Sequence, residues 1–284
     1  MKRTLLLICT LLCANVLWAQ NLFTVGDIQY EITGTNEVEV DSASTSATSI
    51  VIPETIDYEG ITYNVTSIDT WAFDSHTNLT SVTIPNSIVS IEKGAFYGCT
   101  GLTSIDIPNS VTTIDTGAFY GCAGLTSINI PNGITSIKLS TFNGCSSLTS
   151  VTIPNSITSI GSFAFAYCYD LTSVTIPNSV TSIGREAFYY CTGLESINLS
   201  DNITSIGRNC FDSCINLTTV NIPTSLSVID TSLFRYCTSL TSITIPENIT
   251  DIKAWSFWNC HSLTSINIPN SVTSIGYDAF QSCI

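Results

Sequence analysis

The chain has 284 residues, 44% of them apolar, which is enough material for a hydrophobic core and excludes a chain that is disordered throughout. Eight Lys and Arg residues stand against 22 Asp and Glu, so the formal net charge is −14. Such an acidic chain cannot neutralise a row of phosphates, and we expect neither nucleic acid nor an anionic membrane surface as a partner.

Residues 1–19 are predicted to be a cleaved signal peptide. Lys2 and Arg3 precede an apolar run from Leu5 to Leu17, and the small Ala19 follows, which is the pattern of a secretory signal. The run is shorter than the ~20 apolar residues that span a bilayer, and no later stretch predicts a span. We therefore expect export, with an uncleaved anchor as the alternative.

The rest of the chain is built on a repeat of 23 residues. A phenylalanine returns at this interval without any insertion, at Phe73, Phe96, Phe119, Phe142, Phe165, Phe188, Phe211, Phe234, Phe257 and Phe280. Leucines, isoleucines and prolines keep the same period. One copy cannot bury its own apolar side chains, whereas stacked copies bury each row against itself, so the period predicts a solenoid.

Each copy predicts two extended pieces and a turn. The segment "LTSVTI" of one copy predicts a strand in which Leu171, Val174 and Ile176 face inward. Ser173 and Thr175 then face outward, because side chains alternate along a strand. The proline that follows lacks an N–H and ends the strand. "VTSIG" predicts a second short extended piece, and "REAFYYC" predicts a turn or a single helical turn that inserts Phe188 into the core.

The recurring pattern "C..L..V.IP.SVTSIG..AF" resembles the BspA-like (treponemal-type) leucine-rich repeats of bacterial surface proteins. The resemblance implies a β-rich solenoid over residues 50–284, with about ten 23-residue coils and little α-helix. It also implies a small N-terminal β cap over residues 20–49, and an exported adhesin or binding scaffold without enzymatic activity.

Nine cysteines share one position of the repeat, and His76 takes that position in the first full coil. Stacked copies place their Cα atoms about 4.8 Å apart, and parallel side chains keep the Cβ atoms near that distance, beyond the roughly 3.8 Å of a disulfide. A ladder of buried thiols is the favoured interpretation, and disulfides between neighbouring coils are the alternative. A straight row of single cysteines offers no tetrahedral ligand set, so we predict no metal site.

No arrangement of residues predicts catalysis. The two histidines, His76 and His261, belong to no catalytic motif, and the acidic residues are scattered. We therefore expect no enzymatic activity, no catalytic or cofactor-binding residues and no cofactor.

One window of the repeat, around the phenylalanine, collects charged and aromatic side chains, including all six Lys and Arg residues that follow residue 19. Tyr, Trp and Arg dominate the energetics of protein interfaces. We name the predicted partner-binding residues the candidate stripe: Tyr97, Tyr120, Tyr167, Arg185, Tyr189, Tyr190, Arg208, Arg235, Tyr236, Trp255, Trp258 and Tyr277. The alternative is that this turn tolerates any residue and the aromatic rings cover the phenylalanine row.

The outward positions of the strands carry Ser, Thr and Asn with almost no charge, from Ser81 to Asn267. Such a surface offers hydrogen bonds to a glycan, and the alternative is a solvated face without a specific partner. Because the last copy ends in an open strand edge, self-association through the C-terminal edge is a further prediction.

The sequence thus predicts a secreted or cell-surface protein that recognises a protein ligand of a host or neighbouring cell. The second hypothesis is a carbohydrate-binding module that uses the strand face, and a structural spacer is the third.

Overall fold

The computed structural model describes residues 21–283, so the predicted signal peptide lies outside the described residues. Within that range the chain forms 21 short β-strands and no helix, arranged as a β-solenoid of about ten coils with 23-residue spacing. The predicted fold class is confirmed. The placement of the domain boundaries stays a prediction.

Six strands precede the regular repeats, and all of them except β4 belong to one sheet that leads into the first coil. They are β1 (Leu22–Val25), β2 (Ile28–Ile32), β3 (Glu37–Ala43), β4 (Ser49–Val51), β5 (Thr55–Tyr58) and β6 (Ile61–Ile68). β1, β2 and β3 pair antiparallel, and β3 then pairs parallel with β6, which carries the ladder into the repeats. Phe23 stacks on Tyr58 with 3.9 Å between ring centroids, which closes this end of the core.

Each coil has three sides, and the first side is the strand face. Its strands are β7 (Ser81–Thr83), β10 (Ser127–Asn129), β12 (Ser150–Thr152), β14 (Ser173–Thr175), β16 (Ser196–Asn198) and β18 (Thr219–Val220). β4 pairs with β7, and the five strands from β10 to β18 that are named here form one parallel sheet. Val174 and Ile176 are buried while Ser173 and Thr175 are exposed, as the alternation predicted. The strands are two or three residues long, shorter than the predicted six-residue "LTSVTI".

The second side carries even shorter strands. They are β8 (Ser90–Ile91), β9 (Thr113–Ile114), β11 (Ser136–Ile137), β13 (Ser159–Ile160), β15 (Ser182–Ile183), β17 (Ser205–Ile206), β19 (Val228–Ile229), β20 (Asp251–Ile252) and β21 (Ser274–Ile275). These strands pair parallel in three separate groups. The first group is β8 and β9, which continue from β6; the second is β11, β13, β15 and β17; the third is β19, β20 and β21.

The third side is a turn held by its own inter-coil hydrogen bonds, which we name the turn ladder. Phe73 and the residues two before and two after it donate their N–H groups to carbonyl oxygens of the next coil, at 2.7–3.0 Å. The same three bonds recur at every step up to the bond from Asn259 to Gln281. Both flanking positions have positive φ in every coil, as at Trp71 (63°) and Ser75 (57°), because this conformation turns their N–H groups towards the next coil.

The core is a set of columns parallel to the solenoid axis. From Phe73 to Phe280, successive phenylalanine rings stack with centroids 5.0–5.7 Å apart and planes within 20° of parallel. Leucine and isoleucine columns surround them. Burial of each ring contributes about 1.5–3 kcal/mol, and the rings stabilise one another only because no coil changes length.

The cysteines form the predicted ladder of thiols. All ten cysteines within the described range are free. The nine that share one position each place Sγ 3.0–3.3 Å from the carbonyl oxygen of the preceding coil's phenylalanine, beginning with Cys99 on Phe73. Cys210 is also buried, at the position where other coils have alanine. The thiol ladder thus joins each coil to the one before it.

Candidate recognition surface

The candidate stripe lies on the turn ladder side, which we name the turn face. Its members occupy four positions relative to the phenylalanine of each coil. One residue after it lie Tyr97, Tyr120, Tyr189, Arg235 and Trp258; two after it lie Tyr167, Tyr190 and Tyr236; two before it lies Trp255; three before it lie Arg185, Arg208 and Tyr277. Because the coils stack in register, each position forms a column along the solenoid.

An N-terminal aromatic group consists of Trp71, Tyr97 and Tyr120. The Tyr97 and Tyr120 rings stack with centroids 4.7 Å apart, and Trp71 meets Tyr97 edge-on at 5.4 Å. Lys93 Nζ lies 5.8 Å from the centroid of Trp71. Gly94 leaves room for the indole, since a Cβ there would overlap the Trp71 ring.

The central group is the tyrosine cluster of Tyr167, Tyr169, Tyr189 and Tyr190. Tyr167 lies at its centre, with ring centroids 6.2, 5.4 and 5.7 Å from those of Tyr169, Tyr189 and Tyr190. Tyr167, Tyr169 and Tyr190 are 36–44% exposed. In the same coil as Tyr167, Phe163 carries the Arg185 guanidinium above its ring at 5.2 Å.

The C-terminal group contains Arg235, Tyr236, Trp255, Trp258 and Tyr277. The Arg235 guanidinium carbon lies 5.0 Å from the Tyr236 centroid and 5.1 Å from that of Trp258. Trp255 and Tyr277 meet edge-on at 5.9 Å. The structure therefore brings most of the candidate stripe together in three groups.

Arg208 and Asp212 are two charged residues of the turn face that differ from the others in their surroundings. Arg208 is exposed, and within the described residues it joins none of these aromatic groups. Asp212 is buried, accepts hydrogen bonds from Ser213 and Asn209, and lies 3.8 Å from Arg235. Burial raises the pKa of its carboxyl above the usual range, although Ser213 and Arg235 oppose the rise.

Sequence reasoning missed three aromatic members of the turn face. Trp71 and Phe163 occupy the column of Trp255, two residues before the phenylalanine, so the same window would have found them. Tyr169 lies four residues after the phenylalanine, outside that window, and only the contact with Tyr167 assigns it to the cluster.

The backbone of the turn face favours glycine at two positions of each coil. Gly94, Gly98, Gly117, Gly121 and Gly144 have φ between 62° and 74° there. Six aromatic residues adopt the same conformation at these positions: Trp71, Phe163, Tyr167, Tyr190, Tyr236 and Trp255. Positive φ is unfavourable for bulky side chains. The aromatic residues therefore occupy sites where conformational preference alone would select glycine.

A second surface lies on the strand face, where three coils form an open depression of about 680 Å³. Ser196, Asn198, Thr219, Asn221 and Thr244 contribute hydroxyl and amide groups to its lining. Asp201, Thr224 and Ser242 are further polar members of the lining, and the remaining residues are aliphatic.

Three carboxylates meet at the start of the solenoid. One oxygen each of Glu31, Asp41 and Asp69 lies within 4.8 Å of the others. The neighbouring Glu39 has a raised pKa, first because of burial and then because of Asp69. Sequence reasoning predicted no metal site. Exposed acidic groups are common without an ion, so we assign none here.

The last coil presents a strand edge. β21 pairs with β20 on one side only in the described part of the chain, and Ile275 is 52% exposed. Self-association through this edge stays a prediction.

A family model described as the BspA type leucine rich repeat region matches residues 42–171 and 158–284, in six copies. The chain therefore belongs to the BspA-type leucine-rich repeat family. Proteins with these repeats generally serve structure or recognition rather than catalysis, and this membership indicates a protein-binding or adhesion role. A comparison with curated proteins finds no match.

Solved structures of bacterial proteins share the fold. A leucine rich cell surface protein from Faecalibacterium prausnitzii is 27% identical, with 92% of each chain covered and a TM-score of 0.55. A leucine-rich repeat protein from Bacteroides ovatus is 25% identical, with 92% of each chain covered and a TM-score of 0.52. The T. pallidum leucine rich repeat protein is 29% identical over 69% of this chain and 90% of its own, with a TM-score of 0.61.

Between residues 21 and 283, the structure has no helix that is long and apolar enough to cross a membrane.

Proposed function

We propose that this protein is exported and recognises a protein ligand of a host or neighbouring cell through the turn face. The single observation that carries the proposal is the set of six aromatic residues at positive φ, where other coils have glycine or polar residues. A conformational cost kept at several equivalent sites supports a role for the side chains outside the fold. Exposed Tyr and Trp side chains are also the types that anchor protein interfaces.

Export and a location at the cell surface have separate support. The first nineteen residues carry the charge and apolar run of a signal peptide. The similar structure from Faecalibacterium prausnitzii is that of a cell surface protein. Membrane fractionation and N-terminal sequencing of the mature chain test this part of the proposal.

The recognition surface is tested by adhesion to a panel of purified extracellular matrix proteins, with a glycan array in parallel. The variant Trp255→Gly with Trp258→Ala removes one exposed and one half-buried ring of the turn face. We expect adhesion to a bound matrix protein to weaken by tenfold or more, as for interface hot spots. The matched control is Thr219→Ala with Thr244→Ala, which removes two hydroxyl groups of the strand-face depression and should leave adhesion unchanged.

The opposite result favours the alternative function. Glycan binding that the strand-face variant abolishes and the Trp variant retains would identify a carbohydrate-binding module. The hydroxyl and amide groups around the strand-face depression would then supply the contacts.

A further inference from the structure

The aromatic groups of the turn face differ in whether they carry a cation of their own. Lys93 lies over Trp71, Arg185 over Phe163, and Arg235 over both Tyr236 and Trp258. Within the described residues, no Lys or Arg lies over any ring of the tyrosine cluster. Trp71, Phe163, Tyr236 and Trp258 are thus each covered by a cation of the chain itself, whereas no ring of the tyrosine cluster is.

The geometry of the tyrosine cluster leaves ring surface open to a partner. Tyr167 and Tyr190, which both have positive φ, lie with their rings 29° from parallel and their centroids 5.7 Å apart. They are 36% and 39% exposed, and Tyr169 beside them is 44% exposed. A ring face carries negative partial charge and attracts ammonium or guanidinium groups within about 6 Å.

The charges around the cluster favour a cation over an anion. Asp170 follows Tyr169 directly, is exposed, and forms no ion pair with any described residue. The nearby Arg185 is held by Glu186 at 2.6 Å. The pKa of Tyr189 is raised to about 12, first by burial and then by the negative charge of Asp212. The whole chain has a net charge of −14, which attracts basic partners from a distance.

We infer that the tyrosine cluster binds a Lys or Arg side chain in a basic segment of the partner protein. The cationic group of that side chain lies against the faces of Tyr167 and Tyr190, and Asp170 supplies charge complementarity. The inference rests on the proposed function, since it places one contact of the partner on the turn face and names its chemistry.

The probe is a flexible Gly-Ser peptide with four arginines, compared with the same peptide in which citrulline, a neutral isostere, replaces arginine. Binding to the full chain is measured calorimetrically at about 0.15 M and 0.5 M salt, because salt screens the general attraction of an acidic chain for a basic peptide. We expect Tyr167→Gly with Tyr190→Gly to weaken binding of the arginine peptide about tenfold, as the loss of cation–π contacts predicts. The citrulline peptide should bind at least tenfold more weakly to the unaltered chain.

Two further variants make the result specific. Tyr167→Phe with Tyr190→Phe keeps the ring faces and should retain binding within about twofold, since phenylalanine also attracts cations. Asn259→Gly changes a residue with positive φ in the equivalent position of another coil, without removing a ring, and should bind as the unaltered chain does. Thermal unfolding of each variant verifies that it is folded.

The inference is wrong if the Tyr→Gly variant binds the arginine peptide as tightly as the unaltered chain, because net charge alone would then explain binding. Equal affinity for the citrulline peptide, or no binding of the arginine peptide, would also overturn it. A failure of this kind is distinguishable from failure of the proposed function, because the Trp255 and Trp258 variant would still lose adhesion to a matrix protein.

Discussion

The residues two positions before and after each buried phenylalanine have two roles. Their backbone must hydrogen-bond to the next coil, and their side chains form part of the turn face. Their N–H groups must reach the next coil, and positive φ achieves this. Glycine meets that demand with the least strain, as Gly98 and Gly121 do. Tyr167 and Tyr190 meet it with a steric cost, so their rings are best understood as surface features added to a backbone that does not need them.

Two substitutions in one coil separate these demands. Phe188 is fully buried and stacks between Phe165 and Phe211 at 5.4 and 5.6 Å. We expect Phe188→Ala to lower the free energy of unfolding by about 3–5 kcal/mol. For Tyr190→Gly we expect the free energy of unfolding to change by no more than about 1 kcal/mol. The substitution loses ring contacts and gives the unfolded chain more freedom, but it also removes the cost of a positive φ at a bulky residue. Denaturant unfolding measures both, and comparable losses would identify Tyr190 as a core residue.

His76 takes the position that cysteines occupy in later coils, and like them it is buried. Its ring nitrogens lie 3.0 Å from the carbonyl oxygens of Asp74 and Ala43. The first full coil has no phenylalanine carbonyl before it, so the longer side chain reaches Ala43 in β3 instead. The repeat identified the position, but only the structure shows which carbonyl it contacts.

At the scale of elements, the thiol ladder couples the stability of the coils to protonation. A thiol can donate a hydrogen bond only while it is protonated, and burial raises the pKa of Cys99 from 9.0 to about 12. Burial and the neighbouring Cys145 raise the pKa of Cys168 in the same direction. The folded state therefore keeps its thiols protonated at pH values where the unfolded chain ionises.

The sign of the pH dependence follows from linkage. The thiols' contribution to stability is fully present below pH 9 and falls as the pH rises towards 12. Cys168→Ala removes one such group, so we expect the alkaline fall in the free energy of unfolding to become shallower by about 1.4 kcal/mol per pH unit. Urea unfolding under reductant between about pH 8 and 11 measures this slope, with Ser173→Ala as the control, and an unchanged slope would contradict the prediction.

The repeat predicted the strands well in their inward and outward positions and less well in their extent. The alternation places Val174 and Ile176 inward regardless of strand length, so it is visible in the sequence. Whether two coils pair depends on neighbours. The Asn221 side chain exchanges two hydrogen bonds with the backbone of Leu199, at 2.8 and 2.6 Å, where one coil would otherwise face the next through its backbone. The repeat pattern does not predict where a side chain takes the place of a backbone hydrogen bond between coils.

The candidate stripe was predictable for a similar reason, and only in part. Aromatic and charged residues cluster in one window of the repeat, which placed Tyr97 and Trp258 on the same face. The grouping into three clusters, the cations over their rings and the positive φ values depend on the path of the turn. The recurrence of glycine at positions 94, 98, 117 and 121 was the available signal for positive φ.

At the scale of the whole molecule, the two β sides are interrupted while the turn ladder is not. On the second side, the pairing stops between β9 and β11 and again between β17 and β19. On the strand face, no backbone hydrogen bond joins residues 242–245 to a neighbouring coil. Three turn-ladder bonds nevertheless join each successive pair of coils from Trp71 to Gln281. The turn side is thus the continuous structural support of the solenoid.

Hydrogen exchange measures this difference directly. We expect the amides of residues 242–245 to exchange at least tenfold faster than those of Phe234, Phe257 and their ladder neighbours, because unpaired amides need no opening step. Residues 173–175 within the central sheet provide the matched control for a strand-face segment that is paired. Equal protection of residues 242–245 and 173–175 would show that the strand face is continuous in solution.

The uniform turn ladder has a mechanical consequence for the response of the solenoid to tension. Each coil is fastened to the next by its own small set of bonds and contacts only its neighbours, so tension along the axis peels the coils off singly from an end. Every detached coil frees 23 residues, a tether on the order of 75 Å when extended. We expect such a rod under axial load to lengthen in steps of one coil rather than to unfold all at once.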